Sequence, residues 1–392
     1  MVDIPYLIDS IGYQMAAVNI VNGHGFVMGN LDGIDVYRID LSKIYKQKIK
    51  PILTKPYNPF YTTPAYHFFL ASVYFVAGVH PQTAKVVQTV LLAAAVSLLP
   101  WLGSRYWSNR GAAAGAFTAV LACVLPILPN PGLILSEPLS VFALMVWACA
   151  FQFFSKRDGL AWSFALGVLS GGLDLIKGYM GFIPIIFLGY VFFRFGSSKK
   201  SFAVCTLFIL GCSTLIVPWE AYLYIKTGSF IVLARQFDNS LYGGNNAKSL
   251  ETGQWNSDWI KDDFYSEMAK KDRIWSLALF WKENADSIPS MLRNKVMAAT
   301  DVPSAFVTFA FRLIIASMMA YYAMGLLPKS VIWEERPRPN APAAPLIFFL
   351  NIVIVTAVFF GLPRYTLPFM IHFTLAAVYF LLSAAAGFGR KG

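Results

Sequence analysis

A chain of 392 residues with 57% hydrophobic and 14% charged residues, and a mean hydropathy of +0.55, is too apolar for a soluble globule. The net charge of +11 does not indicate nucleic acid, because the basic residues are spread over short loops between apolar runs, where they meet anionic headgroups. The four cysteines (Cys123, Cys149, Cys205 and Cys212) lie in apolar segments without CxxC or Cys/His spacing, and are read as packing residues.

The first 83 residues are read as an extracytoplasmic segment. Asp9 or Ser10 is expected to cap a helix with the apolar face Ile11, Met15, Val18 and Val21, closed by Gly23 and Gly25. A Lys-rich stretch follows, and then NPFYTTPAYHFFLASVYFVAG, whose apolar part over 64–79 is short for a span and suits an interfacial or re-entrant helix. Segments of spanning length then run approximately over 84–104, 111–129, 136–154, 160–176, 178–194 and 203–225. A polar stretch occupies 226–303, and the C-terminal region 304–392 holds further segments at 304–327, 344–361 and 365–387. The expected fold is an all-α polytopic membrane protein with about nine transmembrane helices plus interfacial helices.

Sidedness follows from charge. One alternate set of connections, with the C-terminal tail, carries Arg105, Arg110, Lys156, Arg157, Arg194, Lys199, Lys200, Lys329, Arg336, Arg338, Arg390 and Lys391, whereas the other carries only Lys177 and Arg364. Cations collect on the cytoplasmic side of short loops, so segments 1–83 and 226–303 are placed outside, in an inner-membrane protein facing the periplasm or exterior. That leaves the first segment with nothing apolar ahead of it, and a further helix upstream of residue 1 is expected.

Four fragments hold ionisable residues at the outer face. Asp9 stands in DSIGYQMAAVNIVNGHGF. Glu137 opens a span in LSEPLS, where a helix entrance with Ser136 as cap explains it equally well. Asp174 and Lys177 in GGLDLIKGYMGF stand three apart, the spacing of a local ion pair, and ionisable groups at this depth are costly unless paired or functional. Arg364 in GLPRYTLP is either a cation snorkelling from a helix end or a ligand. The spans are read as free of mid-helix charge. The turn around Gly243–Asn246 reads as part of a solvated loop, and His24 and His67 as structural.

The order of these fragments, with Gln88 in an apolar helix and a basic hairpin at Arg105–Arg110, resembles the GT-C glycosyltransferases that use polyprenyl- or dolichyl-phosphate sugars, such as protein O-mannosyltransferases and aminoarabinose transferases. The resemblance implies a sugar transferred to a glycan, lipid or protein acceptor at the outer face, with inversion. It implies Asp9 as the catalytic carboxylate and Glu137 as its companion, the two jointly polarising the acceptor or holding a divalent metal ion. It implies Lys177 and Arg364 on the lipid phosphate, with Tyr365 and Asp174 in the substrate pocket, and no nucleotide cofactor. Lys-Gly at 177–178 departs from the Arg-Pro of many relatives, which removes bidentate phosphate recognition. The competing classes are a transporter or lipid flippase, and an O-antigen ligase or polymerase with a diphosphate-linked donor.

Overall fold

The computed structural model describes residues 4–27, 62–125, 127–157, 159–234, 236–254, 273–301, 305–325, 343–359, 361 and 363–388. Among them the regular structure is helical throughout, with no strand. Among the described residues, five helical segments are long and apolar enough to cross a membrane: Pro81–Trp107, Glu137–Ser155, Gly178–Phe195, Lys199–Thr227 and Arg364–Ala385. Shorter apolar helices cover Ala65–Ala77, Leu160–Ile176, Val307–Tyr322 and Ala343–Val358. Phe75, Val76, Phe193 and Ile225 are each more than three-quarters exposed, which only a hydrocarbon solvent makes reasonable for so many large apolar side chains.

The first helix, α1 (Ile4–Val21), begins earlier than expected. Asp9 therefore lies inside it and caps nothing. Its far end is as expected, with Gly23 and Gly25 at φ +82° and +79°. Next come α2 (Ala65–Ala77), α3 (Pro81–Ser97) and α4 (Leu99–Val124). The α4 segment folds back on itself. In a straight helix Leu99 and Gly115 would be about 24 Å apart, yet a Cβ on Gly115 would sit 2.3 Å from the Leu99 carbonyl oxygen, and one on Gly103 would sit 2.0 Å from that of Gly111. The basic hairpin at 105–110 is thus the turn between two antiparallel limbs in backbone contact.

Then follow α5 (Glu137–Arg157), α6 (Leu160–Ile176), α7 (Phe182–Phe195) and α8 (Lys199–Thr227). Gly167 and Gly171 of α6 and Gly211 of α8 remove side chains from their shared seam, where a Cβ would come within 2.1–2.8 Å of carbonyl oxygens across it. Close backbone approach at small residues substitutes for the hydrophobic drive that lipid does not provide between helices.

Residues 226–303, expected as a solvated loop, fold into packed pieces where they are described: α9 (Gln236–Gly243), α10 (Ala247–Thr252), α11 (Arg273–Glu283) and α12 (Ile288–Thr300). Asn245 and Asn246 are buried, and Asn246 caps α10. The chain ends with α13 (Ala305–Gly325), α14 (Ala343–Val358), the short α15 (Pro363–Thr366) and α16 (Met370–Phe388). A second correction lies in α13, which carries Arg312 well inside its length; its Nε donates to Thr300 Oγ1 at 3.2 Å. Cys123 is exposed and not a packing residue, and all four thiols are free.

Candidate active site

Helix direction gathers the site at one end of the bundle. α5 starts at Glu137 and finishes at Arg157, α6 returns to Lys177, and α7 and α8 turn at Arg194 and Lys199. At 1.5 Å per residue the 21 residues of α5 span about 31 Å, so the basic turns and the Glu137–Lys177 end are a membrane thickness apart.

Each charged residue at that end is held by local structure. Asp9 and Tyr13 share one face of α1, four residues apart. The Tyr13 ring meets Tyr66 of α2 edge-on at 4.7 Å, and its hydroxyl lies 3.4 Å from Ser136 Oγ, tying α1 to the start of α5. The loop into Glu137 is fixed by Gln88 of α3, whose Nε2 donates to the carbonyls of Leu133 at 2.9 Å and Pro131 at 3.4 Å, while Tyr66 donates to its Oε1. Lys177 follows α6 in extended backbone, and Thr63 Oγ1 donates to the preceding carbonyl of Ile176 at 2.9 Å. Arg364 sits on α15, which Thr366 ties to α12 by donating to the Ala299 carbonyl at 3.2 Å.

These four side chains meet. Arg364 Nη2 donates to Asp9 Oδ2 at 2.6 Å, and Arg364 Nε lies 3.4 Å from Glu137 Oε1. Lys177 Nζ approaches the same Glu137 oxygen at 3.3 Å. The order Asp9–Arg364–Glu137–Lys177 alternates in sign and sums to zero, which lets four charges share a poorly solvated place. For Lys177, burial disfavours the charge, but the Glu137 carboxylate outweighs it and its pKa is raised, so the ammonium is charged at neutral pH. The acids differ in access: the Glu137 side chain is 2% exposed and that of Asp9 26%.

A partly open cleft adjoins the cluster. Both cations line it, with Tyr13, Tyr179 and Tyr365, whereas neither acid does. The Tyr179 and Tyr365 rings lie 4.5 Å apart. The opposite wall includes Leu233, held at φ +56° by hydrogen bonds at both its backbone groups. Its N–H donates to Glu220 Oε1 at 2.6 Å, and its carbonyl accepts from the Trp219 indole at 2.8 Å.

One expected pairing is not found. Asp174 does not pair with its i+3 neighbour Lys177 and does not line the cleft: it is buried on α6 with Oδ1 unbonded. A buried carboxyl without an ion pair costs stability, so Asp174→Asn is expected to leave the melting temperature unchanged or raise it, measured in detergent with the cleft intact. Arg364 occupies the position between the two carboxylates, and among the described residues no group of three His, Cys, Asp or Glu side chains could hold a metal ion. His67 is bonded within its own turn, 3.1 Å from the Thr63 carbonyl and 3.3 Å from Thr62 Oγ1, consistent with a structural residue.

The fold is similar to that of solved structures of an archaeal oligosaccharyltransferase. Over 98% of this chain it is similar to a crystal structure of the Archaeoglobus fulgidus oligosaccharyltransferase tethered to an acceptor peptide, with a TM-score of 0.53 and 14% identity. A second structure of that archaeal enzyme, AglB with an inhibitory peptide and dolichol-phosphate, matches at 0.50 and 12% identity. ArnT from Cupriavidus metallidurans bound to undecaprenyl phosphate follows at 0.42 and 11% identity, covering 96% of this chain and 74% of ArnT. The chain spans about half of the oligosaccharyltransferase, 46% of its length. No protein-family model and no curated protein matches the sequence.

Proposed function

We propose that this protein is an integral-membrane glycosyltransferase that moves a sugar from a polyprenyl-phosphate donor to an acceptor at the extracytoplasmic face. The observation that carries this reading is Arg364 bridging Asp9 and Glu137, with Lys177 beside it and both cations facing the cleft. AglB, solved with dolichol-phosphate, has a similar fold and supports the donor class.

In this reading the lipid phosphate enters the cleft against Lys177 and Arg364, with the sugar directed toward Asp9. The acceptor hydroxyl or amine attacks the anomeric carbon as Asp9 takes its proton. The bond from that carbon to the phosphate oxygen breaks, and its electron pair leaves with polyprenyl phosphate. Charge growing on that oxygen is stabilised by two cations already in place, the arrangement that lowers a barrier most when it needs no reorganisation. Asp9 suits the base because a general base must reach the acceptor, and Glu137 is too enclosed to do so. Glu137 instead holds the two cations together. Arg364 then supplies positive charge between the two carboxylates. Positive charge on the opposite turns supports a cleft on the periplasmic or exterior side of a cell membrane.

The test is turnover of a panel of undecaprenyl-phosphate hexoses and pentoses in membranes, wild type beside Asp9→Asn. Losing a positioned base is expected to lower the rate about 10²-fold or more. Unchanged turnover in a correctly inserted Asp9→Asn variant would remove Asp9 from the chemistry.

A further inference from the structure

Away from the charged cluster, α12 carries a cation with no exposed surface, Lys295. Its Nζ donates to Asn245 Oδ1 and to the Ala357 carbonyl, each at 3.0 Å. Among the described residues no carboxylate pairs with it. An ammonium in such a place is held against a desolvation cost that nearby carbonyls offset only in part. Burial lowers its pKa to about 7.

What the ammonium grips is the last turn of α14, whose carbonyls have no partner within the helix and carry the negative end of its dipole. Asn245 adds to that grip, donating from Nδ2 to the Val358 carbonyl at 2.7 Å, and its own Oδ1 also accepts from the Trp281 indole at 3.1 Å. Beyond α14 the chain continues to touch α12. The Gly361 N–H donates to the Gly253 carbonyl at 2.9 Å. A Cβ on Gly361 would lie 1.8 Å from the Lys295 carbonyl oxygen, and one on Gly253 would lie 2.2 Å from the Asn294 carbonyl carbon. Three segments therefore meet backbone to backbone at Lys295. Arg364 follows Gly361 by three residues, and Thr366 returns to α12 at Ala299. The Arg364 turn is thus anchored to α12 on both sides.

We propose that Lys295 is a positioning residue for Arg364: by tying the carboxyl end of α14 to α12, it sets where the guanidinium meets Asp9, Glu137 and the cleft. The proposal rests on the reading of Arg364 as the phosphate-facing cation of a transferase. Lys295 touches neither the cleft nor the cluster, so it acts only through the chain it holds.

The test compares wild type with Lys295→Met, which keeps the length of the side chain and removes its charge. Three quantities are measured: melting temperature, amide hydrogen exchange at Gly361 and Thr366, and the Kd for undecaprenyl phosphate. The melting temperature is expected to hold or rise, because an unpaired buried charge is gone. Exchange at Gly361 and Thr366 should quicken about tenfold or more, and Kd should weaken about tenfold, as expected for a site loosened through its support. Unchanged exchange with unchanged Kd overturns the proposal, and so does a lowered melting temperature with Kd unchanged, which marks a merely structural residue. Should wild type fail to bind undecaprenyl phosphate, the transferase reading is what fails, and exchange at Gly361 and Thr366 still decides the role of Lys295. Asn245→Leu removes the acceptor of the ammonium together with the Nδ2 bond to the Val358 carbonyl, and should give the same two shifts if Lys295→Met does not fold.

Discussion

Arg364→Ala should be among the most damaging single substitutions in the protein, losing both stability and transfer. The guanidinium is the only group in contact with both Asp9 and Glu137 among the described residues. Its removal leaves Asp9 without its 2.6 Å partner and gives Glu137 a single cation where it had two. Breaking a buried ion pair from one side costs about 3–5 kcal/mol, because the remaining charge keeps its desolvation penalty and loses its compensation. Chemical denaturation in detergent would measure it. Donor turnover should fall further, by about 10²–10³-fold in the folded fraction, if the guanidinium also meets the leaving phosphate. Arg364→Lys is the informative companion. One ammonium cannot present two N–H groups in a fixed fork, so it should recover part of the stability and little of the rate. A melting temperature unaffected by Arg364→Ala would mean that the two acids are neutralised by something other than this residue.

The sequence made the four charges conspicuous for one physical reason. Lys177 and Arg364 break a charge asymmetry that all other short connections obey, and an ionisable group in such a place needs a compensating partner. Which partner it takes was not legible. Lys177 has an acid three residues away in Asp174, the spacing that favours a local pair, yet it bonds Glu137, forty residues distant in the chain. That choice is set by the meeting of α5 and α6 ends, a matter of tertiary packing that no local window contains. Asp9 shows the same limit. As a residue before a small-residue helix it reads as a cap, but α1 begins at Ile4, and the carboxylate is free to face Arg364 across the site.

Lys295 was missed although a signal existed. In MLRNKVMAAT it falls four residues after Met291 and three before Ala298, so it occupies the same stripe as buried apolar residues. A lysine in an apolar stripe contradicts the amphipathic pattern, and such contradictions are where functional or positioning groups are expected. The Gly167–Gly171 spacing carried a comparable message about the α6–α8 seam, since small residues four apart on an apolar helix allow backbones to touch. The fold class was plain from hydropathy because every spanning helix satisfies its own backbone. Packing of the described parts of 226–303 onto α14 and α15 was not, because its polar composition is that of any solvated loop, and its buried asparagines serve as hydrogen-bonding joints.

Glu137 offers the strictest test of how the cluster is held together. One of its oxygens is approached by Lys177 at 3.3 Å and Arg364 at 3.4 Å, while the side chain is almost wholly enclosed. Glu137→Ala should destabilise by about 3–5 kcal/mol, with Lys177 the group left buried and unpaired. Arg364 retains Asp9, so the loss ought to trace mainly to Lys177, and a double-mutant cycle can isolate it. Lys177→Met in the Glu137→Ala background removes the stranded ammonium, and the double variant should be more stable than the sum of the single losses by about 1–3 kcal/mol. Glu137→Gln separates charge from shape: a neutral amide of the same size cannot compensate an ammonium, so it should lose nearly as much stability as alanine does. If glutamine instead matches wild type, Glu137 fills space at the entrance to α5, and the alternating order of charges has no part in holding Lys177.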